Sequence, residues 1–273
     1  MGELAFAGAT SHVGAIIRDP NAEPERSARL DLAWRRLDAR ITAARLDAVV
    51  VVATDHYETF GLDNYPAFAL GIADVHEGWG EFGTPGGPVA GRPEVAVALL
   101  AGLVGRDFDV SAAHGMRLDH SFTVPVTRLP AVAAAGVVPL FVNCNTPPMP
   151  SLPRCLALGR ALRESVQALP AGTRVGVLAT GGISHWVGLP RFGEVNSAFD
   201  RAFLDLLDAG DLAQVLAWSD AFVLEEAGNG ALEIRTWLTA LGAADQARTV
   251  SAVYEPMLPW GIGIGVAEFG ARR

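Results

Sequence analysis

The chain has 273 residues, half of them hydrophobic, with a formal net charge of −9. That apolar share is ample for a sizeable core, and the acidic balance excludes nucleic acid or an anionic membrane as main partner, since both need Lys and Arg against phosphate. Two cysteines outside any CxxC spacing, no signal-like N-terminus and no apolar run long enough to span a bilayer lead us to expect a cytoplasmic protein without disulfides.

In chain order, "LAFAG" at 4–8 reads as a short first strand. Residues 25–45 place apolar side chains at helical spacing between charges, which predicts an amphipathic helix. "LDAVVVVAT" follows, a β-branched run suited to a strand buried on both faces of a parallel sheet. Residues 76–92, "HEGWGEFGTPGGPVAGRP" with its flank, are rich in Gly and Pro and read as a long ordered loop of the kind that often carries function. Beyond it, "PEVAVALLAGLVG" predicts a helix, "FDVSAAH" and "GVVPLFVN" strands, and "RCLALGRALRESVQAL" a helix. "RVGVLAT" predicts a strand, "GEVNSAFDRAFLDLLDAG" a helix, and 211–242 a final helical block. Strands alternating with helices predict an α/β fold, a single domain over 1–273.

Ligands of open α/β sheets sit beyond the carboxyl ends of the strands. His12, His56 and His185 each follow a strand-like run by a few residues, and His120 lies slightly further past its own. Any one such histidine is most often a loop residue making a hydrogen bond. Four that share one edge suggest a common site, whereas His76 and His114 lack the pattern. No HExxH or paired-cysteine motif names a metal by spacing. Ala231, Leu232 and Ile234 surround Glu233 at the start of an apolar helix. A helix N-terminus suits a carboxylate, yet one set among apolar neighbours needs a partner, and a cation would serve. Two histidines and one carboxylate with open positions make up the facial triad of non-haem Fe(II) oxygenases.

The segments "GATSHVGA", "VVATDHYETF", "MRLDHSFTVP", "PLFVNCNTPPMPS", "ATGGISHWVGLPRFGEVNSAFD" and "GALEIRTWL" together resemble the class III extradiol ring-cleavage dioxygenases. The likeness runs over nearly the whole chain and is strongest to the protocatechuate 4,5-dioxygenase β subunits and the dihydroxyphenylpropionate 1,2-dioxygenases. It implies a central mixed, largely parallel sheet flanked by helices. It also implies Fe(II) held by His12, His56 and Glu233, with His185 as acid–base residue and His120 as a second active-site histidine. The implied reaction uses O2 to open a catechol ring beside its two hydroxyls.

Tyr57 and Asn143 are candidates to contact substrate, Asp119 to orient His120 or to cap a turn, and Trp260 to cover the site or to lie in the core. Arg117 and Arg191 are candidates to meet a substrate carboxylate. The protocatechuate enzymes need a small α subunit over the site. The C-terminal "VYEPMLPWGIGIG" resembles the enzymes that act without one, so a self-sufficient homo-oligomer is expected. Two other chemistries fit the same residues: ring cleavage of 2-aminophenols, and Zn-dependent hydrolysis through a bound water. A non-catalytic accessory subunit would be expected to lose ligands that are all present here.

Overall fold

Strand β1 (Glu3–Thr10) is buried from Phe6 onward and leads through a one-turn helix, α1 (Ala15–Arg18), into α2 (Pro24–Ala44). Proline at the first turn of α2 forgoes an N–H that no helix end can satisfy internally. Leu30, Trp34, Leu37 and Ile41 then form its buried stripe. In β2 (Ala48–Ala53) every residue is buried. Val50 and Val52 enter one core and Val49 and Val51 the other, as strand alternation requires of a two-faced strand. The structure is a computed structural model describing residues 1–245 and 248–270.

The chain continues through β3 (Phe68–Gly71), β4 (Val75–Trp79), β5 (Gly86–Ala90), α3 (Pro93–Val104), β6 (Ser111–Ala113) and β7 (Arg117–Leu118). Next come α4 (His120–Arg128), α5 (Pro130–Ala135), β8 (Val137–Val142), α6 (Leu152–Gln167) and β9 (Arg174–Thr180). The C-terminal part holds α7 (Ser197–Ala209), α8 (Leu212–Leu216), α9 (Asp220–Ala227), a short 3-10 turn (Gly230–Glu233), α10 (Ile234–Ala243), β10 (Arg248–Met257) and β11 (Ile262–Gly270). No described helix is long and apolar enough to cross a membrane.

The fold is α/β. Its main sheet has eight strands in the order β10-β11-β1-β9-β2-β8-β3-β6, with helices over both faces. The central neighbours β1, β9, β2 and β8 run parallel, whereas β11 on β1, β10 on β11 and β3 on β8 are antiparallel. This register positions the site. Thr10 lies opposite Thr180, and Val52 opposite Ala179, so β1, β9 and β2 end at one level of one edge. The residues after those ends are Ser11–His12, Thr54–His56 and Gly181–His185.

Three expectations need correction. The Gly/Pro-rich segment 76–92 is largely a β hairpin: β4 and β5 pair antiparallel around a 3-10 turn at Glu81–Gly83, and β4 also pairs with the two-residue β7. The interval read as one helical block is broken at Ala217–Ser219 and at Gly228–Asn229, where Ser219 caps α9 and Gly228 takes a left-handed φ of 89°. Residues 248–270, read for no strand, form the hairpin β10–β11 that closes one side of the sheet.

Candidate metal centre and active site

The strand ends are tied to one another before any functional side chain is placed. Gly181 donates its N–H to Thr10 O (3.1 Å), Thr180 Oγ1 donates to Ser121 O (2.7 Å), and Ser121 Oγ donates to Thr54 O (2.6 Å). Ser11 is held against β11 by its N–H to Gly265 O (2.8 Å) and by the Gly265 N–H to its Oγ (2.9 Å). The residues that follow, His12 and His56 among them, therefore start from a rigid rim.

His12 is buried, and its Nε2 faces Glu233 Oε1 at 3.6 Å; the same oxygen lies 3.4 Å from His56 Nε2. The other Glu233 oxygen accepts the Gly182 N–H at 2.5 Å. Glu233 closes the 3-10 turn that leads into α10 and is 1 % exposed. Burial would raise its pKa, but His12 and His56 overcome that and bring it down to about 2. Burial lowers His12 to about 3, against the pull of Glu233.

One oxygen of buried Asp119, Oδ2, accepts both the backbone N–H (2.7 Å) and the ring Nδ1–H (2.8 Å) of His56. Its Oδ1 caps α4 through the Ser121 N–H (2.9 Å). Asp119 therefore orients His56 and caps a helix; it does not orient His120 as weighed from sequence. Burial opposes charge on both members of the pair. The attraction outweighs it, so the His56 pKa stands well above its usual value and that of Asp119 well below. His120, first residue of α4, has the same arrangement with another partner: Glu81 Oε1 accepts its backbone N–H (2.7 Å) and its Nδ1–H (2.7 Å). The His56 and His120 rings stack at 4.4 Å, and His12 stands edge-on to both, at 5.7 Å and 5.3 Å.

His185 is held differently. Its ring lies against two glycines: a Cβ at Gly230 would sit 2.0 Å from Nε2, and one at Gly182 would sit 2.2 Å from Cε1. Among the described residues, its Nδ1 has the Ile183 carbonyl as hydrogen-bond partner, at 3.2 Å. With no carboxylate behind the ring, burial prevails over the attraction of Glu233, and the pKa is lowered. Beneath it, Ser184 is anchored to buried Asp200 by its N–H and its Oγ–H, each at 2.8 Å.

The arrangement fits a cation. With the His56 Nδ1–H given to Asp119, its Nε2 faces a carboxylate oxygen, holding a proton there or, once that proton is lost, a lone pair for a metal. His12 Nε2 faces the same oxygen beyond hydrogen-bond distance. Buried lone pairs that face one another need a proton or a metal ion between them. Two imidazoles and a carboxylate are borderline-hard donors suited to a divalent first-row metal. Among the described residues, His12, His56 and His120 also offer ring nitrogens mutually within 4.8 Å, so a three-histidine set competes with the set that includes Glu233.

The remaining candidates lie outside this cluster or serve the loops. The Tyr57 side chain is half exposed at φ 68°, its hydroxyl 3.2 Å from Thr146 Oγ1. The Asn143 side chain is buried and spans its own loop, donating to Thr146 O (2.7 Å) and accepting the Asn145 and Thr146 N–H groups. Arg117 pairs with Glu58 (3.2 Å), and Arg191 with Glu194 (2.8 Å) while lying over Trp186. Trp260 is buried and donates Nε1–H to Asp19 O (3.0 Å). Sequence reasoning missed Glu81. Its one available signal was a carboxylate in a Gly/Pro-dense segment, within reach of "LDH" once the hairpin folds.

The family described as the catalytic LigB subunit of aromatic ring-opening dioxygenase matches residues 7–265. A 2,3-dihydroxyphenylpropionate/2,3-dihydroxicinnamic acid 1,2-dioxygenase of Mycolicibacterium vanbaalenii is 31 % identical over 72 % of this chain and 75 % of its own. An enzyme of the same name from Burkholderia vietnamiensis is 28 % identical over 89 % of this chain and 90 % of its own. Among solved structures, an uncharacterized Escherichia coli K12 protein superposes with a TM-score of 0.58 at 18 % identity. It covers 88 % of this chain and 92 % of that one, a likeness of fold.

Proposed function

The chain belongs to the LigB family and is an extradiol ring-cleavage dioxygenase, and from that premise we propose that it opens a catechol beside its two hydroxyls with ferrous iron and O2. The proposed ligands are His12, His56 and Glu233. The observation that carries this reading is the single buried oxygen, Glu233 Oε1, set 3.6 Å and 3.4 Å from two imidazole nitrogens. When bound, ferrous iron supplies Lewis acidity toward the catechol oxygens and one-electron chemistry toward O2.

The protein supplies the rest. Asp119 holds His56 with Nε2 directed at Glu233, which gives the ring the tautomer a ligand needs. His185 stays neutral near physiological pH, because burial lowers its pKa and a carbonyl stands behind Nδ1. It takes the proton of a substrate hydroxyl at Nε2 and later returns it, the work of a general base and acid. His120, backed by Glu81, presents its own Nε2 to the reacting atoms as hydrogen-bond partner. Tyr57 and Asn143 shape the loops bordering this edge of the sheet, and we place them at the substrate's periphery.

The β4–β5 hairpin brings Glu81 and Phe82 against His120. The chain thereby covers this side of the site with its own residues, which supports action without a lid subunit. We read residues 1–273 as one catalytic unit that assembles as a homo-oligomer. The names of the relatives put 2,3-dihydroxyphenylpropionate first among substrates to test.

The experiment is anaerobic loading with Fe(II) or Zn(II), then addition of that catechol or of a 2-aminophenol, then O2. Oxygen uptake with a yellow ring-opened product from the catechol, in the iron sample alone, supports the proposal. Preference for 2-aminophenol would move the substrate class, and metal-dependent hydrolysis in the zinc sample without oxygen uptake would contradict the proposal.

A further inference from the structure

We propose that Glu81, in the turn of the β4–β5 hairpin, is a positioning residue that fixes the ring orientation and tautomer of His120. The proposal rests on the reading of His120 as an active-site residue. One carboxylate oxygen takes both the backbone N–H and the Nδ1–H of this histidine, each at 2.7 Å. A contact made at once to backbone and ring leaves the side chain little rotamer freedom. It also assigns the ring proton to Nδ1, so that Nε2 faces the site as an acceptor. In the Asp119–His56 pair one oxygen does the same for a proposed metal ligand. The two pairs meet at the consecutive residues Asp119 and His120 and solve one problem in one way.

The hairpin is built to hold Glu81 there. Glu77 and Gly78 of β4 pair with Arg117 and Leu118 of β7, two residues ahead of His120, so carboxylate and imidazole are set in register by a sheet. Gly80 at φ 78° and Phe82 at φ 52° make the sharp turn around Glu81. The Thr84 N–H and Oγ–H both bond the Glu81 carbonyl, at 2.9 Å and 2.7 Å. The Phe82 ring then packs on Gly14, two residues past His12, where an added Cβ would fall 2.4 Å from it, and stands edge-on to His120 at 5.2 Å. A surface glutamate in a simple turn would need none of these ties.

The test compares Glu81→Ala and Glu81→Gln with the wild type. Gln keeps an amide oxygen that can accept both N–H groups, so it separates the acceptor from the charge and from any loss of folding. In metal-free protein with 15N-labelled histidines, proton–nitrogen correlation spectra read the tautomer directly. Wild type and Glu81→Gln are expected to hold His120 as the Nδ1–H form, and Glu81→Ala to shift it toward Nε2–H. After iron loading, Glu81→Ala should lose roughly 10–100-fold in kcat with the KM for the catechol little changed, and Gln should restore most of it. An unaltered His120 tautomer in Glu81→Ala, or a Gln variant as impaired as Ala, overturns the proposal. Full activity of His120→Ala would instead overturn the reading of His120 itself.

Discussion

Asp119 and His56 are joined through a single carboxylate oxygen that accepts both the backbone and the ring N–H of the histidine, at 2.7 Å and 2.8 Å. This contact leaves the far nitrogen of His56 directed at Glu233. Without metal, Asp119 and Glu233 keep His56 protonated well above the usual imidazole range, against the opposing effect of burial. A metal ion must displace that proton. The sign follows: affinity rises with pH up to the folded pKa, by about tenfold per unit for one proton exchanged. Competition titrations with a chelator across neutral pH should show that slope. Asp119→Ala should flatten it and weaken binding roughly 10–100-fold, since orientation is lost along with the charge. An unchanged slope would separate His56 from the metal.

Gly230→Ala gives a sharper test of His185 than replacing the histidine. The new Cβ would lie 2.0 Å from Nε2, a distance no packing tolerates, so the ring must leave its place while its chemistry stays intact. The variant should retain bound metal and lose turnover by about the 10²–10⁴-fold typical of a displaced general acid–base. His185→Phe should match it. A Gly230→Ala enzyme with normal turnover would show that the position of His185 is not required.

Asp200 links the floor of the site to stability. Burial raises its pKa to about 6 against the hydrogen bonds from Tyr254 and Ser184. A carboxyl raised on folding contributes stability that is fully present below its unfolded pKa of about 3.9 and is lost as pH rises through about 6. The shift is worth at most about 3 kcal/mol. Denaturant titrations of metal-free protein at pH 4 and pH 7 should show Asp200→Asn losing less stability than wild type over that interval. An equal or larger loss in the variant would contradict the assignment.

The parts of the site legible in sequence are those that a parallel core dictates. A fully apolar run such as Val49–Val52 implies a two-faced strand, and parallel neighbours must end at one edge, so the residues after "GAT", "VVAT" and "LAT" had to be brought near one another. Glu233 was visible as a charge in apolar company. What stayed hidden depends on pairing between distant segments. Nothing local links Glu81 to His120 or redirects Asp119 from the adjacent His120 to His56, because both contacts come from tertiary register. The β10–β11 hairpin escaped because glycines at 261, 263 and 265 and prolines at 256 and 259 mask its alternation. Gly263 and Gly265 lie where Asp200 and Trp237 press close on the strand.

Anomalous diffraction from crystals loaded anaerobically with ferrous iron tests the ligand set most directly. The account predicts one peak per chain, about 2 Å from Nε2 of His12, Nε2 of His56 and an oxygen of Glu233, with His120 outside bonding distance. A peak held by His12, His56 and His120 with Glu233 unbound would contradict it, as would no peak at this edge of the sheet.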